Sequence, residues 1–330
     1  MNILVTGGAG YIGSHACKAL AQAGYTPITY DNLVNGHRWA VQWGPLEVGD
    51  ILDRKRLDEV FKKYNPTAVM HFAAYTSVGE SVQDPSRYYR NNLTGTLTLV
   101  EAMRDHGIDK LIFSSTSAIY GIPETNFITE DHPQRPINAY GTSKLMIEQI
   151  LHDYDRAYGL RSISLRYFNA AGADSESQIG EVHKPETHLI PLILDVACEK
   201  KSKITIFGND YDTPDGTCIR DYIHVSDLAN AHLLSLQALE SEEQTAVYNL
   251  SNGQGFSVSE ILETIKQVTQ KTISFEIGPR RIGDVARLVG DSSLAKVKLR
   301  WKPKYFELYQ IILTAWNWHK DLDDLMSQKR

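Results

Sequence analysis

An α/β fold is predicted: a doubly wound parallel sheet with a second, smaller α/β lobe. Three observations predict it. Short apolar runs alternate with helical patterns through the first half of the chain, and that βαβα order favours a parallel sheet. A glycine-rich turn follows the first run, the arrangement that lets a helix N-terminus meet a phosphate. Beyond residue 170 the strict alternation breaks, so the later segments form the second lobe.

Ile3-Leu4-Val5 reads as a buried parallel strand because its apolar run is unbroken. It leads into Gly7-Gly8-Ala9-Gly10-Tyr11-Ile12-Gly13, which contains Gly-x-x-Gly-x-x-Gly from Gly7 and Gly-x-Gly-x-x-Gly from Gly8. An amphipathic helix follows, roughly Ser14 to Ala23, closed by Gly24. Pro27-Ile28-Thr29-Tyr30 is the second strand and ends at Asp31. A carboxylate there suits the ribose hydroxyls of NAD and repels the extra phosphate of NADP. His37 and Arg38, a little beyond, offer the opposite reading, and Asp31 argues against it. Leu46-Glu47-Val48 is the third strand; Asp50 after it either accepts from an adenine amino group or caps the next helix. Residues 68–74, 110–113 and 162–167 are the fourth, fifth and sixth strands. Ligands of such sheets lie at the carboxyl ends of the strands. Phe72-Ala73-Ala74, Ser114-Ser115-Thr116 and Phe168-Asn169 fall there. Later, Asp221 to Ser251 returns to the sheet, entering a helix and ending in a strand at Val247-Tyr248-Asn249-Leu250.

The chain has 330 residues, enough for two lobes, with 42% hydrophobic and 22% charged residues, an ordinary globular balance. A net charge of −6 gives no electrostatic case for nucleic acid or an anionic membrane as partner. Cys17, Cys198 and Cys218 are odd in number and far apart, which suggests free thiols in a reducing compartment. The eleven histidines show no His-Glu-x-x-His or comparable set, so no catalytic metal is expected. Met1 to Thr6 already reads as a strand, without a basic region or a long apolar run, so a cytoplasmic location is expected.

Tyr140 and Lys144 sit four residues apart and share a helix face. A phenol, with pKa ~10, is a poor base at neutral pH, and an ammonium one turn away favours the phenolate. Alone the pair is a weak signal, since most such pairs are a surface tyrosine and a solvated lysine. Thr116, after the fifth strand, adds a hydroxyl that can bond a substrate oxygen or relay its proton. A tyrosine, a lysine, a hydroxyl and NAD together suit removal of a proton from an alcohol as its carbon gives up a hydride.

These motifs resemble the extended short-chain dehydrogenase/reductase family. Residues 6–15, 30–33, 71–74, 165–169, 207–211, 215–225 and 280–284 are similar to its nucleotide-sugar 4-epimerase branch. The resemblance implies a Rossmann-type NAD-binding domain over 1–169 and 221–252, and a UDP-sugar-binding domain over 170–220 and 253–330. It implies Tyr140, Lys144 and Thr116 as catalytic residues. It implies cofactor contacts from Gly7, Gly10, Tyr11, Ile12, Gly13, Asp31, Asn32, Asn35, Asp50 and Ile51. Phe72, Ala73, Ala74, Asn92, Ser114 and Tyr167 join them, with Tyr140 and Lys144. Substrate contacts are implied for Thr116, Tyr140, Phe168, Asn169, His188, Leu189, Phe207, Arg220, Arg281 and Asp284. In that scheme Arg220 and Arg281 hold a diphosphate, Phe207 stacks on uracil, Leu189 offers its backbone and Asp284 holds the ribose. Taken singly, Arg220 beside Asp221 is an ordinary ion pair, and Arg281 near Asp284 a solvated turn.

The implied activity is interconversion of UDP-galactose and UDP-glucose through a transient 4-keto sugar, with NAD regenerated. A homodimer through residues 86–106 and 139–158 is implied as well. UDP-N-acetylglucosamine, UDP-xylose/arabinose and UDP-uronates are alternative substrates. Thr116 stands where the family commonly has Ser, Thr76 where a Lys often reaches the cofactor, and His188 where Asn is common. Leu288 occupies a position whose bulk affects tolerance of an N-acetyl group. A dehydratase needs an acid and a base beside the hydroxyl residue, but Thr116 is followed by Ser117-Ala118. A non-catalytic NAD-sensing regulator has no need of Tyr140, Lys144 and Thr116.

Overall fold

The computed structural model describes residues 1–281 and 283–322; residues 282 and 323–330, part of the expected second lobe, lie outside the described residues. The strands are β1 (Asn2–Thr6), β2 (Thr26–Asp31), β3 (Leu46–Val48), β4 (Ala68–His71), β5 (Lys110–Ser114), β6 (Arg161–Tyr167), β7 (Asn169–Ala171), β8 (Ile204–Phe207), β9 (Ile219–Arg220), β10 (Tyr222–His224), β11 (Ala246–Leu250), β12 (Phe256–Ser257), β13 (Phe275–Gly278) and β14 (Arg287–Leu288). The helices are α1 (Tyr11–Gln22), α2 (Arg54–Tyr64), α3 (Val78–Gln83), α4 (Pro85–Tyr88), α5 (Gly95–Asp105), α6 (Ala139–Tyr158), α7 (Leu189–Ala197), α8 (Val225–Glu240), α9 (Val258–Thr269), α10 (Ser293–Lys298) and α11 (Leu308–Lys320).

The central sheet has seven strands in the order β11-β6-β5-β4-β1-β2-β3. Every pairing in it is parallel. The order reverses at β1, so the crevice outside the carboxyl ends of β1 and β4 is the place where such a sheet takes its ligand. Successive strand residues face opposite sides of a sheet. Ile3 and Val5 accordingly pack with Ala16 and Leu20 of α1 and Leu228 and Leu236 of α8. Leu4 packs on the other side with Leu57 of α2, Leu99 and Met103 of α5, and Ile147 and Leu151 of α6. These runs are apolar without alternation because both faces are covered.

A second core gathers Ile193 and Leu194 of α7, Ile206 of β8, Ile261 and Ile265 of α9, and Ile311 and Ile312 of α11. Around it, β10 pairs with β7, β13 with β8, and β9 lies between β12 and β14. The chain enters α9 through a reciprocal cap, Ser257 accepting from the Glu260 amide while Glu260 accepts from the Ser257 amide.

Two local details differ from expectation. The first helix begins at Tyr11 rather than Ser14, because the glycine turn closes directly into it: the Ser14 amide donates to the Gly10 carbonyl at 3.0 Å. The cap of α2 is Asp53, whose carboxylate accepts from the Arg56 amide, and not Asp50. Among the described residues no helix is long and apolar enough to cross a membrane.

Candidate active site

The glycine turn is built for backbone-to-backbone approach. Gly7 has φ +72°, and a Cβ there would come within 2.6 Å of the Ala73 nitrogen on the neighbouring strand end. A Cβ on Gly13 would fall 2.2 Å from the Gly7 carbonyl oxygen. Gly10 caps α1 without any side-chain bond, which leaves the first-turn amides to an anion. Replacing Gly13 with Ala therefore forces the turn apart. We expect Gly13→Ala to weaken NAD binding by at least about tenfold and to cost about 1–3 kcal/mol of stability, read by calorimetric titration and urea unfolding.

Asp31 is buried at the carboxyl end of β2. One oxygen accepts from the Ala9 amide at 3.0 Å and the other from the Leu33 amide at 2.8 Å. Burial pushes its pKa up and those two bonds oppose the rise. A carboxylate has about four acceptor positions, so positions remain for two ribose hydroxyls. Asp50 accepts from the Asn32 side chain and the Leu52 amide, each at 2.9 Å. Ile51 is buried against Gly95, and Asn35 is exposed. Glycine cradle, open helix terminus and carboxylate together fit a dinucleotide with free ribose hydroxyls.

Asn92, which the resemblance implied as a cofactor contact, has a second role within the chain. It lies in a π-helical turn, Tyr89–Thr94. Its amide clamps the Tyr75 backbone, accepting from the nitrogen and donating to the carbonyl, each at 2.9 Å. Asn91 and Ser143 take its remaining capacity. Asn92 thus positions the loop after β4, which carries Phe72, Ala73 and Ala74, against the Tyr140 helix. Thr76, in the same loop, is exposed.

Tyr140 and Lys144 are both buried on the first turns of α6. Asn138 caps this helix by accepting from the Gly141 amide at 2.8 Å. Lys144 crosses to β5: its ammonium donates to the Ser114 carbonyl at 2.8 Å and stands 4.7 Å above the Phe113 ring. Burial pushes Lys144 down to about 7, with the Glu148 charge opposing. Burial pushes Tyr140 up, and a hydrogen bond with the Thr116 hydroxyl opposes that. The net direction at Tyr140 is therefore opposite to the expected lowering, because desolvation outweighs the Thr116 bond. Ser114 hydrogen-bonds the Tyr167 hydroxyl, and Tyr167 ends β6 beside Tyr140.

Sequence reading passed over the network behind this pair. Glu148, one turn beyond Lys144, accepts the Arg166 fork, from Nε at 3.1 Å on one oxygen and from Nη2 at 2.5 Å on the other, and a bond from Ser115. Arg166 also donates to Tyr120 at 2.9 Å. The spacing Tyr140, Lys144, Glu148 was a visible signal, since all three share one helix face.

On β9, Arg220 donates to the Ile219 and Val285 carbonyls at 2.9 and 2.8 Å and pairs with Asp284 at 3.3 Å. Its ion partner is thus Asp284, not the adjacent Asp221. Asp221 is fully buried and accepts from the Asn252, Gly253 and Gly290 amides at 2.7, 3.0 and 3.4 Å. Burial pushes its carboxyl up to about 6 against those three bonds. The Arg281 guanidinium lies 4.1 Å over the Phe207 ring, on a face that a base would share. Asn169 donates to the Asp221 carbonyl at 3.0 Å, and Phe168 and Leu288 pack on a small core of Ile119, Tyr120 and Ile128. His188 precedes α7, whose first residue is Leu189. Its Nδ1 meets Glu181, in a group that also holds His183 and Glu186. The histidine reading overlooked that group, whose signal was the spacing Glu-x-His-x-x-Glu-x-His over residues 181–188.

Residues 3–251 match the model of the NAD dependent epimerase/dehydratase family. The chain is 52% identical over 318 residues to a UDP-glucose 4-epimerase of Rhizobium meliloti (strain 1021), covering 96% of this chain and 97% of that protein. It superposes with a TM-score of 0.95 on the UDP-glucose 4-epimerase of Brucella ovis, solved in complex with NAD, at 49% identity and covering 97% and 98% of the two chains. The TM-score is also 0.95 for the Stenotrophomonas maltophila UDP-glucose-4-epimerase with bound NAD and formylated UDP-arabinopyranose, at 38% identity and covering 98% and 99%. With its sheet order, glycine cradle and buried Tyr140–Lys144 pair already in place, the chain belongs to the NAD dependent epimerase/dehydratase family, among its UDP-glucose 4-epimerases.

Proposed function

We propose that this chain interconverts UDP-galactose and UDP-glucose through a transient 4-keto sugar. The observations that support the reading are two unlike groups of side chains, one in each lobe. One group holds Tyr140, Thr116 and Lys144 at the carboxyl ends of the strands, beside the glycine cradle. The other holds Arg220, Asp284, Phe207 and Arg281, a set suited to a uridine diphosphate.

Bound NAD supplies the reversible redox capacity at C4 and ends each turnover as it began. The chain's own groups handle the proton and the geometry. Tyr140 takes the proton of the C4 hydroxyl and later returns it. Thr116 fixes that hydroxyl by hydrogen bonding. The Lys144 ammonium favours the phenolate when protonated. Arg220 and Arg281 hold the diphosphate, Phe207 and Leu189 receive the uracil, and Asp284 holds the uridine ribose. Anchoring through the nucleotide leaves the hexose free to turn its other face to the same Tyr140. Leu288, packed beside Phe168, limits the room beside the sugar.

Two coarser features join this reading. A homodimer through α5 and α6 is supported by Met146 and Tyr158, both exposed on α6. A cytoplasmic role in galactose metabolism is supported by a UDP-sugar substrate and by three cysteines that form no disulfide.

The test is incubation with UDP-galactose, with and without added NAD, followed by chromatography. UDP-glucose should form without stoichiometric NADH. Conversion of UDP-pentoses or UDP-uronates but not UDP-galactose would overturn the substrate assignment while leaving the Tyr140 chemistry standing.

A further inference from the structure

Residues 181–188 fold so that four ligating side chains share one cup. One donor atom from each of Glu181, His183, Glu186 and His188 lies within 4.8 Å of every other. Nδ1 of His183 stands 3.2 Å from Glu181 Oε1 and 3.6 Å from Glu186 Oε2. Nδ1 of His188 meets the same Glu181 oxygen. The two imidazole rings are 5.2 Å apart and nearly perpendicular, at 84°. Their Nδ1 atoms therefore converge on one point instead of stacking side by side.

The cup has the supports that fix metal ligands. Glu186 Oε1 accepts from the Thr187 and His188 amides at 2.7 and 2.8 Å, which turns Oε2 toward His183. The backbone under Glu181 is held too, its carbonyl accepting from the Trp318 indole at 3.1 Å. Such outer bonds orient ligands and tune affinity. With both imidazoles neutral, as metal ligation requires, the two carboxylates leave a formal −2 that one divalent cation balances.

We propose that Glu181, His183, Glu186 and His188 form a binding site for a divalent transition-metal ion, with Zn(II) as the fitting ion. Two imidazole nitrogens and two carboxylate oxygens make a four-coordinate nitrogen–oxygen set, which suits Zn(II). Mg(II) and Ca(II) favour all-oxygen shells of six or more ligands. The cup adjoins α1 on one side and α7 on the other. The His183 ring stands edge-on to Tyr11, the first residue of α1, at 6.5 Å. His188 leads straight into Leu189 and α7. A bound ion would pin the loop that joins the nucleotide cradle to the second lobe.

The test uses the full-length protein, stripped with a chelator and titrated with Zn(II) against a chromophoric competitor. One equivalent should bind, and His183→Ala should weaken binding at least about 100-fold. Glu186→Gln, which keeps the shape of the side chain, should weaken it at least about tenfold, in line with the sensitivity of metal sites to ligand changes. Circular dichroism confirms that both variants are folded. His152→Ala, an exposed histidine on α6, should bind as the parent does. Co(II) in place of Zn(II) should give the visible bands of a tetrahedral site, and these should vanish in His183→Ala. Binding unchanged in both cup variants, or binding lost equally in His152→Ala, would mean adventitious surface coordination and overturn the assignment. Failure of the parent to bind a stoichiometric ion would overturn it as well.

Discussion

Tyr140→Phe should lower turnover of UDP-galactose by about 10²- to 10⁴-fold, the range that a positioned proton-transfer group contributes. The phenyl ring keeps the packing of a side chain that is 9% exposed, so the fold and nucleotide binding should survive. Only the hydroxyl that meets Thr116 is lost. Burial has pushed both members of the pair toward neutrality, Tyr140 upward and Lys144 down to about 7. With Lys144 at about 7, a substantial share of it is ammonium near neutral pH, and the phenolate depends on that charge. Calorimetric titration of NAD and UDP into the variant, beside chromatographic assay, separates binding from chemistry. Turnover within tenfold of the parent would remove Tyr140 from the reaction.

Glu148→Ala should cost about 3–5 kcal/mol of folding stability, because it leaves a buried charge without its partner. The Arg166 and Glu148 side chains are 3% and 6% exposed. Ser115 loses its acceptor in the same step. Replacing Glu148 and Arg166 together by methionine should recover much of the loss, since well-packed apolar residues often substitute for a buried pair at little cost. Urea unfolding reads both, and a loss under about 1 kcal/mol for the single variant would contradict the buried-pair account. A second effect follows from sign. The Glu148 charge favours the Lys144 ammonium, so its removal moves the Lys144 pKa further down. The alkaline limb of kcat/KM, where the ammonium is lost, should shift to lower pH.

The sheet was legible because its signal is local. An apolar run such as Ile3-Leu4-Val5, ended by glycine, has few alternatives to a buried strand, and the observed strands differ from the expected ones mainly at their ends. The partner of Arg220 was not legible. Adjacent residues on a strand point to opposite faces, so Asp221 was a poor candidate, and the true partner, Asp284, lies 64 residues away. The Tyr140 pKa failed for another reason. Helical spacing reveals a neighbour's charge but not desolvation, and desolvation is the larger influence here. The local role of Asn92, expected only as a cofactor contact, was not legible. Its bonds to Tyr75 depend on a loop whose path no local pattern encodes.

Asp221 has a mechanical consequence. It sits between β9, in the second lobe, and β10, which leads into a helix of the central sheet. Its carboxylate gathers the amides of Asn252 and Gly253, just past β11, and of Gly290, just past β14. Three stretches of chain are thereby joined at one side chain. Arg220 is attached next to this carboxylate, so its backbone is tied to all of these stretches and its guanidinium starts from a fixed base beside Asp284.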